Sequence, residues 1–468
     1  MPRIETDICV IGGGSGGLSV AAGAVQMGAR VVLIEAGEMG GDCLNAGCVP
    51  SKALIAAAKH AQAMRSGAGF GIAPVEPEID FSAVKDHVFR VIETIAPIDS
   101  QERFEKLGVT VLRDWARFTS PEEVQVGETT IRARRFVIAT GSRPALPPIP
   151  GIDSVTAHTN ETIFALREKP EHLVIIGGGP IGMEMAQAHQ RLGCRVTVIA
   201  GKALPKDDPE TAAIVLARLR AEGVEIIEGV HAASVAPGLS VTLDDGRQVT
   251  GSHLLVAAGR KVALDRLNLE AAGVAFTDKG VTVGDDLRST NRRVYAVGDA
   301  AGGMQFTHVA GYHAGVVIRS IVFGLPSKAK TAHIPWTTYT EPELAQVGLT
   351  EAQAREAHGD RLTVLRQPFH DNDRAQTEDQ TEGLLKLMVV GGRPVGVSIV
   401  GAHAGELIGL WALAISARIK LSALTGAVLP YPTLNEVSKR AAGAYFSPKL
   451  FDNPMVKHVV RLIQRFLP

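Results

Sequence analysis

Two stretches of one design constrain this chain more than anything else in it. "DICVIGGGSGGLSVAAGAVQMGARVVLIEAG" reads as strand, glycine-rich turn, amphipathic helix and strand. "HLVIIGGGPIGMEMAQAHQRLGCRVTVIAG" repeats that order about 160 residues later, with the same switch of hydrophobic period. Each is a βαβ unit, and two of them imply two doubly wound, Rossmann-type domains. At 468 residues the chain is too long for one core, so several domains are expected.

The pattern elsewhere marks the boundaries. "RPALPPIPGID" is proline-rich and closes a first segment, residues 1–150. The second βαβ unit runs through "HLLVAAGR", giving a nucleotide-binding domain over 151–270. A strand ending in Gly298–Asp299 sits in 271–338, which returns to the first domain. From "WTTYTEPELAQVGLT" onward no dinucleotide turn occurs, and 339–468 reads as an α+β domain. The expected fold is therefore α/β: two dinucleotide-binding domains plus a C-terminal α+β domain.

Bulk properties exclude several functions. A formal net charge of −1 gives no electrostatic footprint for nucleic acid. No apolar run reaches membrane-spanning length. The chain enters a strand pattern almost at once, which leaves no room for a signal peptide. Only 4 cysteines occur in the chain, so a reducing cytoplasm is the expected compartment.

In the first unit Gly12 permits the tight turn, Gly14 lets a pyrophosphate approach the backbone, and Gly17 packs helix on strand. Glu35 ends the second strand, where a carboxylate accepts hydrogen bonds from ribose hydroxyls. The second unit has Gly177, Gly179 and Gly182, but Ala200 stands where an NAD-type site carries an acid. Lys202 lies two residues on and would suit a 2′-phosphate, which favours NADPH over NADH; its bland reading is a solvated surface lysine. Two dinucleotide sites call for two different dinucleotides. A tightly held flavin (FAD) and a visiting nicotinamide are the economical pair, because hydride passes between them.

Two of the cysteines, Cys43 and Cys48, fall in "GGDCLNAGCVPSKAL". In an ideal helix their Cα atoms would be about 8.6 Å apart, beyond the roughly 7 Å limit for a disulfide. Bridging them needs a distorted turn, which Gly47 and Pro50 permit. A thiolate there gains from a helix N-terminus and from Lys52. Two inert thiols in an apolar turn is the plain alternative, and a zinc site lacks further Cys or His ligands nearby. Cys9 and Cys194 lie in or beside strands and read as small core residues.

"GGDCLNAGCVPSK" resembles the redox-active segment of the class I pyridine nucleotide–disulfide oxidoreductases, which include mercuric reductase and dihydrolipoyl dehydrogenase. "ATGSRP", "GGGPIGMEMA", "VYAVGDAAG", "TEPELAQVG" and "YPTLNE" follow in that family's order, so the resemblance covers essentially the whole chain. It implies that Gly12, Gly14, Gly17, Glu35, Lys52, Thr140, Gly141 and Asp299 hold FAD, and that Gly259 joins Gly177, Gly179, Gly182 and Lys202 around NAD(P). It also implies a Cys43–Cys48 disulfide, with Cys48 facing the flavin, Cys43 meeting the substrate, and Lys52 paired with Glu184. The C-terminal domain would form a two-fold homodimer and contribute to the partner's active site. His308 and His313 follow Asp299; His308 is the better candidate at the flavin by the resemblance, and a helix or core role is the ordinary reading for both.

The chain departs from the family in two places. Relatives acting on organic thiols carry a His where this chain has Tyr431, although Pro432 and Glu436 are retained. A phenol with pKa near 10 is a poor proton shuttle at neutral pH. Tyrosine there is similar to mercuric reductase, yet the tail "FSPKLFDNPMVKHVVRLIQRFLP" has no cysteine pair to hand metal inward. The expected function is thus an FAD-dependent NAD(P)H oxidoreductase with an unidentified small-molecule or metal-ion acceptor, mercuric reductase-like. A dihydrolipoyl dehydrogenase and a redox-inert flavoprotein are the rivals. The tail itself reads as a basic amphipathic helix, for which packing on the protein's own dimer is favoured over lying on a membrane.

Overall fold

The computed structural model describes residues 2–467. It resolves into two compact units. The first comprises Met1–Gly67, Ala73–Gly201 and Glu225–Lys330; the second comprises Ala68–Ile72, Lys202–Val224 and Thr331–Pro468.

The first unit holds both doubly wound sheets expected from the sequence. In one, strand Arg3–Ile11 pairs in parallel with Val31–Ile34 on one side and Thr129–Ile138 on the other. Val294–Ala296 joins the same sheet in parallel beside Thr129–Ile138, so the late "VYAVGDAAG" segment returns to the N-terminal fold. All four residues of Val31–Ile34 are buried, as a parallel strand covered on both faces requires. Helix Ser15–Gln26 can lie close to this sheet because Gly16, Gly17, Ala21 and Ala24 form its buried side. The other sheet runs Glu225–Glu228, Arg195–Ala200, His172–Ile176, His253–Val256, Ala157–His158, every pair parallel.

The second unit is built on a five-stranded antiparallel sheet. Side chains alternate across it with the period of two that a strand imposes. Leu385, Leu387, Val397 and Ile399 share a core with Trp411 of helix Ala404–Ser416. Their neighbours Lys386 and Ser398 are buried too, but they meet polar groups around helix Pro209–Ala221. The Ser398 and Thr211 hydroxyls are 2.7 Å apart. The Lys386 ammonium donates to both oxygens of Asp208, at 2.9 and 3.0 Å, and pairs with Glu210 and Glu351 at 2.9 and 2.6 Å. Burial pulls the Lys386 ammonium toward neutrality, and the three carboxylates more than offset this, leaving its pKa above the usual lysine range.

The tail forms the helix Pro454–Phe466, capped by Asn453 accepting from the Met455 and Val456 amides at 2.9 and 3.5 Å. Among the described residues none of this helix is buried; the packing expected for it is on a second copy of the chain. No helix among the described residues is long and apolar enough to cross a membrane.

Removing the buried cation should leave Asp208 desolvated and uncompensated. Lys386→Met is expected to lower stability by about 3 kcal/mol, seen as an earlier urea midpoint. An unchanged midpoint would mean that the carboxylates relax into water and the network is dispensable.

Candidate functional site

The two nucleotide loops are fixed by backbone crowding that only glycine tolerates. Gly12 has φ +112°, and a Cβ on it would lie 2.3 Å from the Ala139 carbonyl oxygen. A Cβ on Gly17 would come within 1.8 Å of the Gly12 carbonyl oxygen. Gly177 and Gly182 repeat both relations, against Ala257 and Gly177, at 2.3 and 2.1 Å. Gly14 and Gly179 are the N-caps of helices Ser15–Gln26 and Pro180–Arg191, where the amides point outward as an anion site. Glu35 accepts from the Gly13 and Gly37 amides at 2.5 and 2.6 Å, which holds its carboxylate against the first loop. In the second unit of the pattern Ala200 is buried and ends its strand with no acid, while Lys202 is exposed. The His231 ring sits where a Cβ on Gly201 would be, a neighbour of this strand end that no motif signals.

The cysteine segment is broken as its spacing demands. Helix Gly41–Asn45 stops at Ala46, Gly47 takes φ −121° and ψ −110°, and a new helix, Cys48–Arg65, starts at Cys48 itself. A side chain on Gly47 would meet the Asp42 carbonyl oxygen at 2.9 Å. Both cysteines are free thiols, hydrogen-bonded to one another, with Cys43 half-buried and Cys48 exposed. The Thr307 hydroxyl is 3.5 Å from the Cys48 sulfur. The Cys43 hydrogen bond chiefly, with Thr307 and the Lys52 charge, brings the Cys48 thiol down to about 6 against burial and Glu184. The same interaction pushes Cys43 up, so of the two sulfurs Cys48 is the readier to lose its proton. Lys52, one turn into the cysteine helix, pairs with Glu184 at 2.8 Å; Glu184 is buried and lies two residues past Gly182.

A third cluster surrounds Asp299. The Ser142 hydroxyl donates to its Oδ2 at 2.5 Å, and Arg260 donates from Nε to the Ser142 hydroxyl at 2.7 Å. Arg260 also pairs with Asp42, the residue before Cys43, at 3.1 Å. Asn160 donates to the other oxygen of Asp42 at 2.9 Å. Burial raises the Asp299 carboxyl, with Ser142 and Arg260 opposing. His313 is buried and accepts from the Gly298 amide at 3.2 Å, which fixes the turn carrying Asp299. His308 is exposed and stacks on Phe306 at 5.3 Å between centroids. Between the two histidines, the structure thus gives His313 the contact with the Asp299 turn. Gly141 and Gly259 adopt φ +64° and +138° beside Ser142 and Arg260.

These residues fit a flavin dinucleotide on structural grounds. The Thr140 hydroxyl is buried with no hydrogen-bond partner among the described residues, an orphan that a bound cofactor would satisfy. The Gly12–Gly14 turn, Glu35, Thr140 and Asp299 are of the kinds that would suit the phosphates, ribose and ribitol of such a cofactor. Asp42, Ser142, Arg260, Asn160 and Thr307 were not singled out by the sequence reading, since each acts on a residue far away along the chain.

In the second unit the Tyr431 ring is exposed, and its hydroxyl donates to Asp373 Oδ2 at 2.6 Å. That hydrogen bond to a carboxylate pushes the phenol above its ordinary pKa. Arg440 approaches Asp373 at 3.8 Å. Among the described residues Glu436 Oε2 is buried without a hydrogen bond, and the Tyr431 hydroxyl is held by Asp373 instead.

The profile described as pyridine nucleotide-disulphide oxidoreductase matches residues 6–314, and the dimerisation-domain profile of the same family matches 334–442. The mercuric reductase of Streptomyces lividans is 34% identical over 460 residues, spanning 94% of this chain and 96% of that protein. A dihydrolipoyl dehydrogenase of Bacillus subtilis is 33% identical over 448 residues, spanning 93% and 97%. The Cu(II) complex of the HOCl-induced flavoprotein disulfide reductase RclA from Escherichia coli superposes with TM-score 0.84 at 27% identity, over 94% of this chain and 99% of that one.

The polarised thiols give a pH signature. In the reduced protein, alkylation of Cys48 should lose its thiolate below an inflection near 6, falling about tenfold per pH unit. Cys43→Ala removes the main stabilising bond and should move that inflection up by about one to two units. Peptide-resolved mass spectrometry reads both, and an unmoved inflection would assign the low pKa to Lys52 and Thr307 alone.

Proposed function

The chain belongs to the pyridine nucleotide–disulfide oxidoreductase family and is a flavoprotein oxidoreductase dependent on NAD(P)H; we propose that its electrons leave through a Cys43–Cys48 disulfide toward a thiophilic acceptor, as in a mercuric reductase. The observation that carries this reading is the polarised thiol pair beside Lys52 and Glu184. Bound FAD would supply two-electron transfer between the nicotinamide and the sulfur pair.

The protein's own groups would do the following. Gly12, Gly14, Gly17, Glu35, Thr140, Gly141 and Asp299 hold the flavin, and His313, Ser142 and Arg260 set Asp299. Gly177, Gly179, Gly182 and Gly259 receive the nicotinamide dinucleotide. NADPH is favoured because Ala200 offers no ribose acceptor and Lys202 with His231 lies near that strand end in sequence or space. Two electrons and one proton convert the disulfide into the Cys48 thiolate and the Cys43 thiol. Lys52, neutralised in part by Glu184, keeps a positive charge near the thiolate. Cys43 is then the group that meets the acceptor.

Tyr431 argues against dihydrolipoamide. Oxidising an organic dithiol requires a base for its proton, and a phenol hydrogen-bonded to Asp373 holds its own proton more firmly than free tyrosine does. A soft metal ion bound by thiolates needs no such base. The copper complex of the RclA structure supports a metal-ion acceptor, and the dimerisation-domain match supports a homodimer; in it Tyr431 and Glu436 would serve the partner subunit's thiols. The dihydrolipoyl dehydrogenase reading keeps the support of the Bacillus subtilis relative and is tested alongside.

Anaerobic addition of NADPH, with NADH in parallel, should produce a long-wavelength thiolate-to-flavin absorbance and two new free thiols. Cys48→Ser should abolish the band; its absence from the wild type would end the relay. Wild-type turnover with dihydrolipoamide should be weak. Tyr431→His should raise it by about tenfold or more, the low end of a general-base contribution. Fast dihydrolipoamide turnover by the wild type would favour the dehydrogenase.

A further inference from the structure

The helix Pro454–Phe466 lies beyond both family matches, and none of its residues is buried against the chain. At 100° per residue, Val456, Val459, Ile463 and Phe466 fall near the middle of an apolar stripe roughly 160° wide, with Met455 toward one edge. Met455 is 75% and Phe466 72% exposed, and the apolar surface continues back through exposed Leu450 and Phe451. Lys457, His458, Arg461, Gln464 and Arg465 occupy the remaining face. The helix contains no acid, although the whole chain has a net charge of −1, so the rest of the chain is negative in balance.

We infer that this helix docks on the surface of a bilayer bearing anionic headgroups, with the apolar stripe in the acyl boundary and the three cations at the phosphates. Charge argues for lipid over a second copy of the helix. Two copies stripe to stripe would bury the apolar faces but leave all six cations pointing away from the contact, with no acid from either helix to pair them. An anionic surface buries the same stripe and neutralises the same cations. A helix of this length spans about 20 Å, enough to lie in the interface and too short to cross it. The inference is independent of which acceptor takes the electrons.

The flavin-loaded full chain should co-sediment with vesicles of phosphatidylcholine and phosphatidylglycerol, and not with phosphatidylcholine alone. Replacing Lys457, Arg461 and Arg465 together by Gln should weaken partition about a hundredfold, from about fivefold per cation. Val459→Asp with Ile463→Asp should abolish binding while NADPH-driven flavin reduction and the native mass persist. Wild type that ignores anionic vesicles, or binds both vesicle types alike, would overturn the inference. So would a drop in oligomeric mass in the Val459→Asp/Ile463→Asp variant, which would assign the stripe to a second copy.

Discussion

Everything at the site depends on two places where a helix is pressed onto a strand with no atom to spare. Gly17 over the Gly12 carbonyl and Gly182 over the Gly177 carbonyl leave less than a carbon radius for a side chain. That contact fixes where each helix begins, and so where its amides point and where its next side chains stand. Glu184 is the clearest beneficiary. Seated two residues past Gly182, it is held in the protein interior, where an unpaired carboxylate would be costly, and it finds Lys52. The lysine in turn sits one turn past Cys48, so its charge reaches the sulfur that must bear a negative charge.

The protein handles buried charge in two styles. Around the thiols it spreads a modest amount of charge over Cys48, Lys52 and Glu184, so that no single group is strongly held and the sulfur can titrate near neutrality. Around Lys386 it does the reverse, surrounding one cation with three carboxylates and fixing the helix Pro209–Ala221 to the antiparallel sheet. The first arrangement is labile and suited to chemistry. The second is saturated and suited to holding elements together.

The glycine turns, Glu35 and the two parallel sheets were legible in the sequence because each follows from local geometry: a φ only glycine adopts, or a strand-to-helix change of period. The broken turn at Gly47 was legible from the Cys43–Cys48 spacing, which a continuous helix could not bridge. What stayed hidden acts at long sequence range. Arg260 reaches both Asp42 and Ser142, more than a hundred residues away in each case. His308 and His313 share one helix, and only its orientation toward Gly298 turns the second inward and leaves the first exposed. Tyr431 was visible as a departure, but the carboxylate that holds its proton, Asp373, carries no motif. Nor does anything in "PETAAIVLARLRA" mark that helix as part of the second compact unit; Asp208 and Thr211 do so through side chains on a distant strand.

The chain of contacts from Asp42 through Arg260 and Ser142 to Asp299 joins the residue beside Cys43 to the carboxylate suited to the cofactor's ribitol. Were Cys43 and Cys48 to close into a disulfide, any movement of the neighbouring Asp42 would be passed toward Asp299 through Arg260 and Ser142, and coupling of this kind is reciprocal. Whatever makes the reduced protein grip its cofactor more firmly must, by the same factor, make the cysteines easier to reduce once the cofactor is in place. Retention of the prosthetic group and the potential of the sulfur pair would then share one coupling free energy, carried by the contacts that Arg260 makes.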